Sequence, residues 1–471
     1  MKKAIALPAW VPDQSANSGG LNVCTNVIPR IDGYGPVGAF NSISDALPDA
    51  FKGGGSFIGS DGSSLMLVGT SSGLVSYDSG AWTNLVTGLS ITGQWRFAQF
   101  GDYVVSVCGE VTRQTILSSG VTTAISGAPA GVCIAIVGDY VVIGQAVGDL
   151  LGIYTSGAND HTDWDYTNPL STSTYQPMLD GGEVMGLAGG EYGVILQRQR
   201  LVRLNRTGDA AAPFSFDVIS PNVGCASKGS VVQAGRDVFF LSERGFMRLS
   251  DGQQLTPIGG EKVDRFFQDR VAREDYDRVF SAVDPQKKLV FWCVPGGFVL
   301  VYHFELDRWS LVDVPLDGVF TGFTSSLSLE AVSALYPDLD AMPYSLDDSR
   351  FSGGAPRFYV VQASQVGTLT SDNLAAAFEY SFNQFTPGYV TRFRAIRPIT
   401  DCVTGNAVTL DCRARMGDTP TPVDAGEIRD SGVMPVRASG RFTKPYWSIA
   451  AGSVWSFVQG LEFEYDEGGQ R

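Results

Sequence analysis

The chain has few side chains of the kind that carry acid–base catalysis near neutral pH. Its two histidines are His161 and His303, and histidine is the side chain whose ordinary pKa suits proton transfer at pH 7. Each histidine lies near a tryptophan that ends a repeated segment, which favours a structural role. A Ser-His-Asp triad would also need support from a Gly-x-Ser-x-Gly turn, which the sequence lacks. We therefore predict no catalytic residues.

The acidic residues suggest a metal site at one place only. Four aspartates, Asp338, Asp340, Asp347 and Asp348, could supply oxygen ligands for calcium. Their spacing does not match an EF-hand loop and prolines interrupt it, so a solvated loop is favoured. The glycine clusters Gly53–Gly55 and Gly181–Gly182 lack the Lys-Ser/Thr pair of a phosphate-binding loop. We predict no metal and no cofactor.

The cysteines point to a reducing compartment. They are odd in number, scattered and without a Cys-x-x-Cys pair, which excludes a spaced zinc site and a disulfide framework. The seven are Cys24, Cys108, Cys133, Cys225, Cys293, Cys402 and Cys412. The start of the chain does not resemble a secretory signal, and no apolar run is long enough to span a membrane. We expect synthesis in a cytoplasm.

The chain is strongly acidic, with a formal net charge of −15. Proteins that grip nucleic acid over their outer surface need clustered Lys and Arg, so this charge argues against that class. The same charge suits a passage through which DNA slides without sticking, because like charges repel. Solubility is the simpler explanation of the charge and is favoured.

A repeated segment, a turn followed by a strand, forms the framework on which any functional site must lie. Gly101-Asp102-Tyr103-Val104-Val105 returns as Gly138-Asp139-Tyr140-Val141-Val142, 37 residues later. Looser copies begin at Gly190 and Gly235, and each is a Gly/Asp turn followed by a strand of β-branched and aromatic residues. Repeats of about 40–50 residues made of strands are typical of propeller blades. The sequence therefore predicts an all-β protein built around a β-propeller.

The pattern of turns and strands divides the chain into three segments. Residues 1–53 are rich in turn-formers and predict an extended N-terminal arm, of the kind that adds a strand to a blade or lies on a neighbouring subunit. Residues 54–375 predict a propeller of six or seven blades, with units starting near residues 55, 94, 131, 183, 226, 280 and 320. Helical inserts are expected near 259–279 and 328–343. Alternating strands predict a C-terminal β-sandwich over 376–471.

A carbohydrate-related function is one alternative. Ser76-Tyr77-Asp78-Ser79-Gly80-Ala81-Trp82 resembles a degenerate Asp-box of sialidase-type propellers, a turn element that carries no catalysis. Glycosidase chemistry needs two carboxylates about 5–10 Å apart, and 49 acidic residues leave such a pair open. A carbohydrate-active or carbohydrate-binding propeller and a cellular propeller used as an interaction scaffold therefore remain alternatives.

An ordered set of segments resembles a known family, the tail hub or packaged-DNA stabilisation proteins of short-tailed bacteriophages. The resemblance runs through nearly the whole chain. It rests on Asn26–Pro36, the Gly-Asp-Tyr-Val-Val units, Gly189–Gln197, Arg203–Gly208, Leu241–Phe246, Leu329–Asp348, Phe393–Pro398 and Ser439–Phe442.

The resemblance implies a structural virion protein without catalytic residues. Family members form a hexameric, nozzle-like ring below the portal and adaptor proteins, close the packaged head, hold a tail needle or plug, and dock tailspikes or fibres. Double-stranded DNA passes through the ring at ejection. On this reading, Asp338, Asp340, Asp347 and Asp348 are candidates to line the lumen or a docking loop.

Overall fold

The protein is almost entirely built of β-strands. The computed structural model describes residues 1–209, 212–323 and 355–469. Within these residues there is one short α-helix, α1 (Asp264–Gln268), and there are two 3₁₀ turns, at Lys228–Ser230 and Arg273–Arg278. Glycine-rich turns separate the many short strands, because glycine takes the positive φ that tight turns require.

The N-terminal segment contributes five strands to larger sheets. They are β1 (Lys2–Ala6), β2 (Leu21–Thr25), β3 (Val27–Arg30), β4 (Gly33–Pro36) and β5 (Gly38–Ala46).

The central part of the chain forms consecutive antiparallel units of four strands. The first unit contains β6 (Phe51–Ile58), β7 (Ser64–Thr70), β8 (Leu74–Asp78) and β9 (Ala81–Val86). The second contains β10 (Arg96–Phe100), β11 (Tyr103–Val107), β12 (Thr112–Ile116) and β13 (Thr122–Ala124). The third contains β14 (Gly131–Val137), β15 (Tyr140–Ala146), β16 (Asp149–Thr155) and β17 (Thr174–Pro177). The fourth contains β18 (Val184–Ala188), β19 (Gly193–Gln197), β20 (Leu201–Arg206) and β21 (Phe214–Ser220). The fifth contains β22 (Val232–Ala234), β23 (Asp237–Ser242), β24 (Gly245–Ser250) and β25 (Gln254–Pro257).

Two further units complete the described ring. The sixth consists of β26 (Phe280–Asp284), β27 (Leu289–Cys293), β28 (Val299–His303) and β29 (Arg308–Val312). The seventh consists of β30 (Gly318–Phe323), β31 (Pro356–Gln362), β32 (Gln365–Asn373) and, as its outermost strand, β5 from the N-terminal segment. The innermost strands β30 and β6 contact each other and close the ring. The fold is a β-propeller whose last unit is completed by the start of the chain.

The C-terminal strands form a sandwich of two sheets. They are β33 (Ala376–Tyr380), β34 (Thr391–Thr400), β35 (Asn406–Arg413), β36 (Pro422–Asp424), β37 (Met434–Gly440), β38 (Phe442–Ile449) and β39 (Val458–Glu467). One sheet has the order β3-β4-β39-β34-β37, with β1 also paired to β39. The other has the order β2-β33-β38-β35-β36.

The sandwich and the propeller are joined through β2. This strand pairs antiparallel with β33 of the sandwich and parallel with β29 of the sixth unit, so nine strands form one continuous sheet. A single apolar cluster runs through the joint, from Phe246 and Trp309 in the propeller to Trp10 in the N-terminal segment and Trp447 in the sandwich. The two parts therefore share a core.

Two expectations need correction. Residues 1–53 do not form one extended arm, because β1, β3 and β4 belong to the sandwich and β2 to the joint, and only β5 adds a strand to a propeller unit. The helix expected over 259–279 is reduced to α1 and one 3₁₀ turn, because Ala272 is extended and the chain turns so that Val271 and Tyr276 both reach the core. The insert expected at 328–343 lies outside the described residues.

Candidate functional site: a funnel on the propeller axis

The four aspartates singled out in the sequence lie outside the described residues. Asp338, Asp340, Asp347 and Asp348 belong to the stretch of sequence between β30 and β31. Their proposed roles as calcium ligands or lumen-lining residues therefore stay predictions.

The two histidines belong to different units, and His161 contacts the preceding unit. The ring of His161 is buried against Tyr103, 4.5 Å between ring centroids, and its Nε2 is hydrogen-bonded to Gln114 Oε1. His303 Nδ1 accepts a hydrogen bond from the backbone N–H of Leu306 at 3.3 Å. Burial lowers the pKa of both rings. His161 therefore packs against the second unit, and His303 stabilises the turn that follows β28.

Other chemistry-bearing groups are dispersed. All seven cysteines are buried and unpaired, and burial raises the pKa of Cys133 and Cys225 to about 12. A buried thiol with a raised pKa is a poor nucleophile. In the described parts of the chain, no three His, Cys, Asp or Glu side chains converge as metal ligands. Those parts also include no helix long and apolar enough to cross a membrane.

The repeated Gly-Asp turns connect neighbouring units. Gly101 has a φ of 58°, a conformation that favours glycine. The next residue, Asp102, accepts hydrogen bonds from the backbone N–H and the hydroxyl of Ser60 in the preceding unit, at 2.7 and 2.8 Å. Asp139 pairs with Arg206 of the following unit at 2.6 Å. The motif that organises the sequence thus serves to hold adjacent units together.

A funnel of about 670 Å³ lies on the propeller axis. Its walls come from segments that precede or begin the innermost strands of several units, and from turns between the second and third strands. The lining residues are Ala50, Phe51, Lys52, Thr92, Gly93, Gln94, Arg96, Cys108, Gly109, Glu110, Val132, Lys228, Asp277, Arg278, Phe280, Pro295, Asp317 and Ser364. The volume lies within the range of small-molecule sites, about 300–1,000 Å³.

Hydrogen bonds cross the axis beside the funnel. Arg96 Nη2 in the second unit donates to the backbone oxygen of Lys228, which precedes the fifth unit, at 2.9 Å. Gln94 Nε2 donates to the backbone oxygen of Val279, which precedes the sixth unit, at 2.9 Å. Arg96 also donates to Gln94 Oε1 at 2.8 Å, so the two bridges form one network. The network closes the axis of the individual propeller.

Basic side chains are concentrated at the funnel although the protein is acidic. Lys52, Arg96, Lys228 and Arg278 line it. Two of its three carboxylates are already engaged, since Asp277 accepts the backbone N–H of Lys228 at 2.9 Å and Asp317 accepts that of Ser364 at 2.8 Å. Sequence reasoning missed this site because its residues are far apart in the chain and form no motif. The available signal was the position of the four basic residues, in or just before the first strand of a unit.

Comparisons with known proteins found no family and only partial structural alignments at low sequence identity. No protein-family model and no curated protein matches the sequence. Among solved structures, the extracellular domain of a hybrid two-component system from B. thetaiotaomicron aligns over 89% of this chain and 47% of its own, with 11% identity and a TM-score of 0.43. This chain thus spans about half the length of that protein.

Two other solved structures align with larger shares of their own length. BamB from Moraxella catarrhalis aligns over 78% of this chain and 97% of its own, with 14% identity and a TM-score of 0.37. The WD40 repeats of RRP9 align over 61% of this chain and 88% of their own, with 9% identity and a TM-score of 0.38.

Proposed function

We propose that this protein is a structural subunit of a short phage tail, a hub or nozzle component that assembles into a hexameric ring below the portal and adaptor. In this role it closes the packaged head, docks a tail needle and spikes or fibres, and surrounds the DNA at ejection. The proposal starts from the ordered resemblance in the sequence. It is carried further by one structural observation, the continuous sheet and core that join the propeller to the sandwich.

The joint suits a part that transmits force between neighbours. A propeller and a sandwich connected by a free linker would be expected to move relative to each other. Here β2 pairs with both bodies, and Trp10 packs in the apolar cluster that they share. Asp13 adds a further tie, because its carboxylate accepts the backbone N–H groups of Arg265 and Phe266 in α1, each at 2.7 Å. A subunit stiffened in this way can hold ring contacts on one body and docking contacts on the other.

In such a ring the DNA passage lies between subunits. The network of Gln94 and Arg96 bridges opposite sides of a single propeller, so a duplex cannot thread it. Propellers arranged around a common axis would instead present their outer surfaces to the DNA. Most of the excess of acidic over basic residues lies in 54–375, and a negative wall limits adhesion of phosphate.

Immunogold labelling of intact virions, viewed by negative-stain electron microscopy, tests the proposal. We expect gold at the single tail vertex, and in particles disrupted to release tails the label should follow the tail. An antibody to the major capsid protein is the control and should label the whole head. Protein that stays free in the lysate, with unlabelled virions, would contradict the proposal and favour a cellular scaffold or a carbohydrate-related propeller.

A further inference from the structure

The axial funnel has the features of a ligand site that the proposed tail function does not use. We propose that it binds a small organic anion, a compact molecule that carries one carboxylate or phosphate group. This inference is independent of the tail proposal, because it concerns the purified subunit and a cavity within one chain.

Arg96 is the central element of the argument. Among the described residues, only the Nη2 atom of Arg96 donates hydrogen bonds, and both acceptors, Gln94 Oε1 and the backbone oxygen of Lys228, are uncharged. No carboxylate in that part of the chain lies within salt-bridge distance of Arg96, although Asp277 interacts with it electrostatically from further away. An arginine keeps its charge and presents a planar set of donors that matches carboxylate and phosphate oxygens. The guanidinium is thus held in place by neutral groups, with donors left for an anion.

The neighbouring cations are also available. Lys228 Nζ lies 4.0 Å from Glu183, whose carboxylate is already bonded to Arg198 Nε at 2.9 Å and to Gln145 Nε2 at 2.7 Å. Within the described ranges, Lys52 Nζ donates only to the backbone oxygen of Thr92, at 3.2 Å. An anion at Arg96 would therefore meet two more positive charges whose own partners are weak or uncharged.

The rest of the lining limits the size and character of the ligand. Phe51 and Phe280, with ring centroids 5.1 Å apart, supply apolar surface, as do Val132 and Pro295. The third carboxylate of the funnel, Glu110, is exposed. A ligand with an anionic group at Arg96 and a compact body against the apolar wall fits a cavity of about 670 Å³. A polymer such as DNA does not fit.

Calorimetric titration of the purified protein with four probes tests the site. The probes are glucuronate, glucose 6-phosphate, inorganic phosphate and, as the uncharged control, glucose. We expect binding of at least one anionic probe, weakened by added salt, and no binding of glucose. Preference for glucuronate identifies a carboxylate site, and preference for the two phosphates identifies a phosphate site. Binding of none of the three anions, or equal binding of glucose, overturns the proposal.

Variants then locate the binding. Replacing Arg96 by Met should weaken binding by about tenfold or more, the usual size of a lost charged hydrogen bond. Because Arg96 also bridges two units, Gly93→Phe is a second test. Gly93 lines the funnel, and a Cβ there would meet only the backbone oxygen of Cys108 at 3.5 Å, so the ring can obstruct the cavity without disturbing the backbone.

The matched control is Arg236→Met. Arg236 lies outside the funnel, is exposed and pairs with Glu191 at 3.0 Å. We expect it to bind the probes as the unmodified protein does. Unchanged binding in folded Arg96→Met and Gly93→Phe proteins, or equal loss in the control, would place the anion elsewhere and overturn the assignment.

Discussion

The propeller and the sandwich are built from the same kind of short antiparallel strand, yet they bury their apolar side chains differently. The first five units of the propeller enclose several small clusters, each shared mainly by adjacent units. The sandwich instead shares one large cluster with α1 and with the fifth and sixth units. A repeated array distributes its stability over many interfaces between neighbours, whereas the joint concentrates it. Substitutions at the joint should therefore cost more than matched substitutions in the array.

The largest difference should come from two tryptophans. Trp309 at the joint is fully buried, packs against Trp292 and Tyr302 with ring centroids 5.5 and 4.6 Å away, and donates Nε1–H to the backbone oxygen of Ile258. Trp309→Ala should lower the free energy of unfolding by about 3–5 kcal/mol, the usual cost for a buried aromatic side chain. Urea denaturation monitored by circular dichroism measures this cost.

The matched substitution is Trp95→Ala beside the second unit. Trp95 is also buried, but it packs in a small cluster shared by the first two units, stacks on Phe97 and donates Nε1–H to the backbone oxygen of Thr70 at 3.2 Å. Its loss should cost clearly less than that of Trp309. Equal costs at the two positions would break the comparison between a concentrated and a distributed core.

A smaller effect is expected at the tie between the N-terminal segment and α1. Asp13→Ala removes the acceptor of two backbone N–H groups at the start of the helix and should cost about 1–2 kcal/mol, as for other capping side chains. Asp45→Ala is the control, because Asp45 is exposed and only its own backbone N–H and oxygen take part in its hydrogen bonds with Gly80, Trp82 and Ser44. Equal thermal unfolding of the two variants would show that α1 does not depend on this tie.

The array should respond more weakly and locally. Asp102→Ala removes two hydrogen bonds to Ser60 and should cost about 1 kcal/mol, because the site is exposed. A double-mutant cycle with Ser60→Ala separates the side-chain part of the contact. Hydrogen exchange should accelerate in the first two units and stay unchanged in the sandwich. Faster exchange throughout the sandwich would mean that the array is as cooperative as the joint.

The smallest effect concerns pH. Burial, with a contribution from Asp13, raises the pKa of Asp264 to about 6, although its Oδ1 accepts the backbone N–H of Phe246 at 2.9 Å. As the pH falls, the folded state therefore binds this proton at a higher pH than the unfolded state does. The ionised carboxylate destabilises the folded state above about pH 6, and this destabilisation disappears as the pH falls toward 4. Because the carboxyl is partly exposed, we expect no more than about 1 kcal/mol.

Asp264→Asn isolates this titration. The variant should be the more stable protein at pH 7.5, and its advantage in unfolding free energy should shrink between pH 6 and 4. Asp160 in the third unit is the control with a pKa shift of opposite sign, because hydrogen bonds from Thr162 lower the pKa of its carboxyl group. A constant difference between Asp264→Asn and the unmodified protein over this pH range would rule out a raised pKa at the joint.

Much of the array was predictable from local patterns. The units expected near residues 94, 131 and 183 have first strands that begin at Arg96, Gly131 and Val184, because a Gly/Asp turn followed by β-branched residues restricts the backbone locally. The distribution of the strands of residues 1–53 among the sandwich, the joint and the seventh unit was not predictable, since these strands pair with partners hundreds of residues away. The funnel was likewise out of reach, because Arg96 and Lys228 meet only when the ring closes.

The sequence by itself determined the strands, the turns between them and the propeller class, since these depend on residues near one another in the chain. Tertiary structure alone decided that β5 completes the seventh unit, that β2 joins the propeller to the sandwich, and that cations gather at the axis of an acidic protein. The physical reason is the range of the interactions. Turn and strand preferences act over a few residues, whereas ring closure and core formation bring together side chains whose separation in sequence carries no pattern.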